Sequence, residues 1–150
     1  MGNYIISKSD LDQFGQFSGS IDNDTIRPEN YQDTISYTIL GLSGQDSIIG
    51  ANGKDILFGM EENDTIVGGQ NNDILYGNEG NDSLEGNFDY DTIYGGQGND
   101  FISDSAFPVI DIDQGTDFLF GNLGDDSIIS VSSYSEDTVL FGGQGKDLLI

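Results

Sequence analysis

The sequence contains no cysteine, no histidine and only four cationic side chains. Without cysteine there is neither a disulfide framework nor a thiolate metal site. Without histidine the usual zinc ligand, the commonest general base and the histidine-based triads are gone together. Lys8, Arg27, Lys54 and Lys146 face 27 carboxylates, for a formal net charge of −23. Ion pairing cannot neutralise such a chain, so dissolved cations are its obvious counter-charge, and nucleic acid is a partner of the wrong sign. No apolar run approaches the roughly 18 residues that span a bilayer. Residues 1–10 carry Lys8 but no apolar stretch of signal-peptide length, so export is expected to use a route without an N-terminal signal.

What the chain has in quantity is glycine, at 22 of 150 residues, and aspartate, and both recur with a period. Asp46, Asp55, Asp64, Asp73, Asp82, Asp91 and Asp100 each follow the last by nine residues. Five positions before each stands Gly41, Gly50, Gly59, Gly68, Gly77, Gly86 or Gly95. Two positions after each stands Ile48, Leu57, Ile66, Leu75, Leu84, Ile93 or Ile102. A fixed period of this kind marks a repeat architecture and rules against a flexible acidic linker, which holds no aliphatic register. Asp117, Asp126, Asp137 and Asp147 sit in related settings at less regular intervals, with Gly121 and Gly142 opening two of the units. Upstream, Asp24-Thr25-Ile26 and Asp33-Thr34-Ile35 lie nine apart, but Arg27, Pro28 and Glu29 break the glycine pattern.

Two units show the repeat most fully: Gly95-Gly96-Gln97-Gly98-Asn99-Asp100-Phe101-Ile102-Ser103 and Gly142-Gly143-Gln144-Gly145-Lys146-Asp147-Leu148-Leu149-Ile150. They resemble the hemolysin-type calcium-binding nonapeptide of the repeats-in-toxin (RTX) family, G-G-x-G-x-D-x-U-x, and the resemblance covers about residues 41–150. It implies an all-β fold, a right-handed parallel β-roll in which two nonapeptides make one 18-residue coil. The residues themselves point the same way. The first six positions of a unit are turn formers, and the last three are a strand-length alternation with its aliphatic on one side. One unit cannot bury that aliphatic, whereas two consecutive units can by placing their strands in opposite sheets.

Stacked at the strand separation of about 4.8 Å, the aspartates sort into columns. One edge would carry Asp46, Asp64, Asp82 and Asp100, the other Asp55, Asp73 and Asp91. Carboxylates so close repel unless a cation lies between them, and Ca²⁺ accepts six to eight hard oxygens in irregular geometry where Mg²⁺ demands a rigid octahedron. Alongside Asp46, Asp55, Asp64, Asp73, Asp82, Asp91, Asp100, Asp117, Asp126, Asp137 and Asp147, the resemblance implies backbone carbonyl ligands at the first and third loop positions, or the second and fourth. The first and third are Gly41 and Ser43, Gly50 and Asn52, Gly59 and Glu61, Gly68 and Gln70, Gly77 and Glu79, Gly95 and Gln97, and Gly121 and Leu123, with Gly86 at a first position. Glycine at position four is replaced by Glu62, Asn71, Asp89 and Ser135. The stretch Asp104–Asp111 lacks the motif, and the 17 residues from Asp100 to Asp117 imply that it replaces one loop while the alternation of edges is kept.

The expected organisation is a degenerate cap at 1–40, a regular roll at 41–103, a non-motif loop at 104–111 and a degenerate roll at 112–150. Phe58, Tyr76 and Tyr94 recur at 18 and should share one outer face, either as rings supporting the parallel strands or as a docking face for a protein or polysaccharide. The opposite sheet reads as polar, with Ser47, Thr65 and Ser83, until Phe101 and Phe118. A metal-free solenoid using aspartate only in turns is the competing structural reading. Close acidic pairs such as Glu61 and Glu62, or Asp125 and Asp126, arise by chance in so acidic a chain, so no enzyme activity is expected. The functional expectation is an extracellular, calcium-folded structural or adhesive module. The alternatives are the accessory roll of a larger secreted protease, lipase or polysaccharide-modifying enzyme, or a carbohydrate-binding adhesin module. A bare sheet edge after Ile150 would allow self-association.

Overall fold

A computed structural model describes residues 2–6, 10–11, 16–32, 34–104, 116–130 and 138–150. Ser135, Asp137 and the segment 105–115, which includes most of the expected 104–111 loop, lie outside the described residues. Among the described residues there is no α-helix, and no helix long and apolar enough to cross a membrane.

Strands β1 (Gly2–Ile6), β3 (Asp24–Pro28), β5 (Ser47–Ile49), β7 (Thr65–Gly69), β9 (Ser83–Asn87), β11 (Phe101–Ser103), β13 (Ser127–Ile129) and β15 (Leu148–Leu149) form one sheet in that order. Strands β2 (Gln16–Ser18), β4 (Thr38–Ser43), β6 (Ile56–Glu61), β8 (Ile74–Glu79), β10 (Thr92–Gln97), β12 (Phe118–Leu123) and β14 (Val139–Gln144) form the other. Every pairing is parallel, and successive strands alternate between sheets, which makes the chain a two-sheet solenoid. The alternation within each nonapeptide dictates this. In β6, Leu57 and Gly59 point inward while Ile56, Phe58 and Met60 point out. Leu57, Leu75, Ile93 and Leu119 from one sheet meet Ile48, Ile66, Leu84, Ile102 and Ile128 from the other, all with no solvent exposure. The core is therefore a double file of aliphatics, each contributing about 1.5–3 kcal/mol of burial and none stable without its neighbours.

Coil length is 18 residues through the middle of the chain but not at its ends. Equivalent residues are 22 apart from Asp24 to Asp46, 18 from Asp46 to Asp64, 26 from Asp100 to Asp126 and 21 from Asp126 to Asp147. The 26-residue coil corrects the expected placement of Asp117. The extra residues fall between β11 and β12, and Asp117 follows Asp91 while it is Asp126 that follows Asp100. The 17-residue spacing read as a full coil because it falls one short of 18. The same shift moves Phe118, expected on the polar sheet, into β12 opposite Thr92.

That register extends the aromatic row. Phe58, Tyr76, Tyr94, Phe120 and Phe141 stack with ring centroids 4.8–5.0 Å apart and planes within 12° of parallel. Strand separation sets the spacing, so in-register pairing aligns the rings whatever the loop length. Phe120 and Phe141 escaped the sequence reading because they stand 26 and 21 residues along, not 18.

Several loop positions take left-handed backbone. Among the departures from glycine at position four, Glu62, Asn71 and Asp89 have φ of 74°, 70° and 77°. Asparagine and aspartate tolerate this, whereas Glu62 is strained and its carboxylate repels the neighbouring Asp46 and Asp64. At Gly98, φ is 120° and an added Cβ would run into the Gly80 carbonyl of the preceding coil. Glu62→Gly should remove about 1–2 kcal/mol of backbone strain against about 0.5–1 kcal/mol of added chain entropy, and should also relieve charge repulsion. Its calcium-saturated melting temperature should rise by about 2–4 °C. Gly98→Ala should lower it, with backbone strain alone costing about 1–3 kcal/mol. A calorimetric scan in saturating calcium reads both.

Candidate metal centre

Each loop ends in an aspartate whose side chain turns back into the solenoid. Asp24, Asp46, Asp55, Asp64, Asp73, Asp82, Asp91, Asp100, Asp117 and Asp126 are all at least 97% buried, an unusual condition for a carboxylate. What fixes them is a ladder along the axis. The backbone N–H of Asp46 donates to Oδ1 of Asp64, Asp64 to Asp82, Asp82 to Asp100, and Asp100 to Asp126, at 2.8–2.9 Å. Asp126 donates to Asp147 at 3.2 Å. On the opposite edge Tyr37 donates to Asp55, Asp55 to Asp73, Asp73 to Asp91 and Asp91 to Asp117, at 2.7–2.8 Å. The columns inferred from the nine-residue spacing are thus present, and Asp117, Asp126 and Asp147 continue them.

The ladder occupies only one oxygen of each carboxylate. Oδ2 of Asp46, Asp64, Asp73, Asp82, Asp100 and Asp126 is buried and receives no hydrogen bond. A buried, unmatched anionic oxygen is costly, so the arrangement calls for a cation. Space for it is kept by the opening glycine of each loop. A Cβ on Gly41, Gly59, Gly77, Gly95 or Gly121 would collide with Oδ2 of Asp46, Asp64, Asp82, Asp100 or Asp126 respectively. The carbonyl of the next coil's glycine approaches the same point: Gly59 O would lie 2.7 Å from a Cβ on Gly41, and Gly95 O 2.5 Å from one on Gly77. Carboxylate and carbonyl oxygens from two coils therefore converge without a donor between them. No group of three or more acidic side chains gathers among the described residues, so carbonyls or water would complete any shell. A mixed shell of carboxylate and carbonyl oxygens suits Ca²⁺.

At the third positions, backbone carbonyls take part in hydrogen bonds between coils. The carbonyls of Gln97 and Leu123 accept from the N–H of Gly80 and Gly98 of the preceding coil, both at 2.8 Å, which uses one of each oxygen's two lone pairs. The Ser43 hydroxyl donates to Glu61 at 2.8 Å on the exposed side. On the second edge Gly50, Asn52, Gly68, Gln70 and Gly86 belong to stacked loops, and a Cβ on Gly50 or Gly68 would meet Asp55 or Asp73. Asp137 lies outside the described residues.

Electrostatics follow the same geometry. Burial, with repulsion between stacked carboxylates, raises Asp46 to about 6, Asp64 and Asp100 to about 7 and Asp126 upward, against the backbone N–H each receives. Burial carries Asp73 to about 8 and Asp82 to about 6.

The head of each column is different, and the sequence reading missed it. Burial raises Asp24, but the N–H groups of Ser20 and Gly2 and the Ser20 hydroxyl outweigh it and hold the carboxyl below its ordinary value. Gly19 stands five residues before Asp24 and Ile26 two after, so the loop carries the motif spacing, displaced by a 22-residue coil. On the second edge Tyr37 takes the aspartate's place, and Asp55 Oδ2 accepts from the N–H of Ala51 at 2.8 Å. Asp104 is buried at a loop-opening place that Gly50, Gly68 and Gly86 fill in earlier coils, and its carbonyl accepts from Asn87 N–H at 2.6 Å.

Two columns of buried carboxylates on the edges of a parallel solenoid define a calcium-binding β-roll. The model of one family, the RTX calcium-binding nonapeptide repeat (4 copies), matches residues 38–66, 49–84, 58–92, 76–103 and 112–130, more than half of the chain. The chain belongs to this family, and its repeats form a Ca²⁺-binding module. No curated protein and no solved structure matched the chain.

Protons and calcium compete for the same oxygens. With folded-state values raised above the ordinary 3.8, the metal-free fold binds protons that the unfolded chain does not. Its stability is therefore present below about pH 4 and lost as pH rises through about 6–8. In chelator, β-structure by circular dichroism should be greater at pH 5 than at pH 8. In calcium the order should reverse, with the calcium midpoint moving to lower concentration as pH rises.

Proposed function

We propose that the chain is a calcium-responsive structural module of a secreted surface or matrix protein, folded where calcium is plentiful. The observation that carries this reading is the unmatched carboxylate oxygen repeated coil after coil. In low calcium the columns repel and the chain stays expanded. In millimolar calcium the ions bind only the stacked form and supply its folding free energy by mass action. Five stacked pairs of motif loops on the first edge and two on the second would hold about seven ions, taking the formal −23 to roughly −9. The cap at 1–40 and the rolls on either side of the 104–111 loop are taken as parts of this one module. Function as the accessory roll of a larger secreted enzyme is the runner-up, and it uses the same calcium-dependent folding.

Far-ultraviolet circular dichroism during a calcium titration, with magnesium as control, tests the proposal. The expected result is a largely disordered spectrum in chelator and a cooperative gain of β-signal at roughly 0.1–1 mM calcium, with little from magnesium. Equal order in chelator and in calcium would reject it.

A role in partner binding is favoured by the ring-bearing sheet. Its outward positions Leu40, Leu42, Ile56, Phe58, Met60, Ile74, Tyr76 and Tyr94 carry no charge, and the exposed charges of these strands, Glu61 and Glu79, stand at the strand ends, although the chain as a whole is strongly acidic. Because the rings cover one another's faces, they offer edges outward, and sugars stack on faces. The surface therefore fits a protein better than a polysaccharide. A glycan array probed with and without calcium should stay blank. Glycan binding that Tyr76→Ser with Tyr94→Ser removes would shift the reading to a carbohydrate-binding adhesin.

A further inference from the structure

The two loop edges are not chemically equivalent. On the first, the residue before each ladder aspartate makes a second ladder. The N–H of Asn81 donates to Oδ1 of Asn63 at 2.7 Å, and Asn99 to Asn81 at 2.7 Å. Asp125 donates to Asn99 at 2.9 Å and Lys146 to Asp125 at 2.8 Å. Gln45 to Asn23, at 3.1 Å, extends the pattern towards the amino terminus. This ladder runs against its neighbour. At the aspartates the earlier coil donates, whereas at the fifth position the later coil donates. Loop 77–82 is consequently tied to both adjacent loops through two consecutive residues: Asn81 and Asp82 each give one hydrogen bond and accept one.

On the second edge the fifth positions are Lys54, Asn72, Tyr90 and Thr116. Lysine and tyrosine have no acceptor close enough to the backbone to reach the next coil's N–H. Among the described residues the run is reduced to one longer step, Lys54 N–H to the Ser36 hydroxyl at 3.2 Å. Tyr90 is instead half exposed.

We infer that Asn63, Asn81, Asn99 and Asp125 are positioning residues for calcium, making the first edge the column that fills first and more tightly. They would touch no ion. They hold the stacked loops at the spacing a shared ion requires, so less ordering remains to be done when it binds. The second edge lacks this ladder, though Asn71 ties neighbouring loops through its N–H to Asp89 Oδ2 at 3.1 Å and its side-chain amide to the Asn52 carbonyl at 2.8 Å. More ordering therefore remains there, and it fills later. The inference rests on the calcium-module reading above.

The test is a calorimetric calcium titration of the full chain with its variants. Wild type should take up calcium in two phases, the larger first. Asn81→Leu, which removes the acceptor at similar volume, should weaken the first phase about tenfold at unchanged final stoichiometry. Asn81→Asp, which keeps the acceptor as Asp125 does, should restore it, and Asn72→Leu on the second edge should leave the first phase unchanged. The paired change Lys54→Asn with Tyr90→Asn completes an acceptor row on the second edge and should strengthen the later phase. This arm reads the idea even if Asn81→Leu fails to fold. Calcium uptake with Asn81→Leu equal to wild type, with Asn81→Asp as weak as Asn81→Leu, or with no gain from the paired change overturns the positioning role alone. No calcium uptake by wild type overturns the reading beneath it.

Discussion

The hydrogen bond from one aspartate's backbone N–H to the carboxylate of the aspartate one coil further on is the interaction on which the rest depends. It draws each charged side chain inward and fixes the coil register, and at Asp46, Asp64, Asp73, Asp82, Asp100 and Asp126 the second oxygen is left without a partner. Parallel in-register stacking places like upon like. For Leu57 on Leu75 or Phe58 on Tyr76 this is attractive, and for Asp64 on Asp82 it is repulsive. One geometric rule thus makes both the core and the unmatched charge. Protons or a cation held between the coils would relieve that repulsion, so the stability of the core and the binding of metal are linked in this chain.

Where donors are available the rule is satisfied otherwise. Asp24 has both carboxylate oxygens occupied by Gly2 and Ser20, and Asp55 receives Ala51 on its second oxygen. The columns therefore begin at loops that protein groups complete and pass into loops that they do not. Tyr37, buried at the head of the second column, replaces charge with a ring. The amino-terminal coils belong to the same solenoid and differ from the rest in how their carboxylates are neutralised.

Much of this was legible in the sequence because the central coils keep a constant length. From Gly41 to Ser103 the nine-residue spacing gave the strands, the inward aliphatics and the division of aspartates between edges. Legibility failed where coil length changes, because an insertion leaves three-dimensional register intact while destroying period. Asp24 has its glycine and its isoleucine in place but stands 22 residues from Asp46. Asp117 was assigned to the wrong edge, and Phe120 and Phe141 were missed, for the same reason. The fifth-position ladder was hidden differently. Asn63, Asn81 and Asn99 recur at 18, but asparagine is common in turns, and only the stacked backbone shows whose N–H each side chain accepts.

The strand hydrogen bonds, the aspartate ladder and the stacked rings all point along the solenoid axis. Tension applied between the two ends would therefore load them one coil at a time, as in opening a zipper, and never all together in shear. Each coil that yields would release about 60 Å of chain from 18 residues. A tether of this design would lengthen in small, repeated increments under modest force. Its resistance would be set by the calcium in the surrounding fluid more than by the covalent chain.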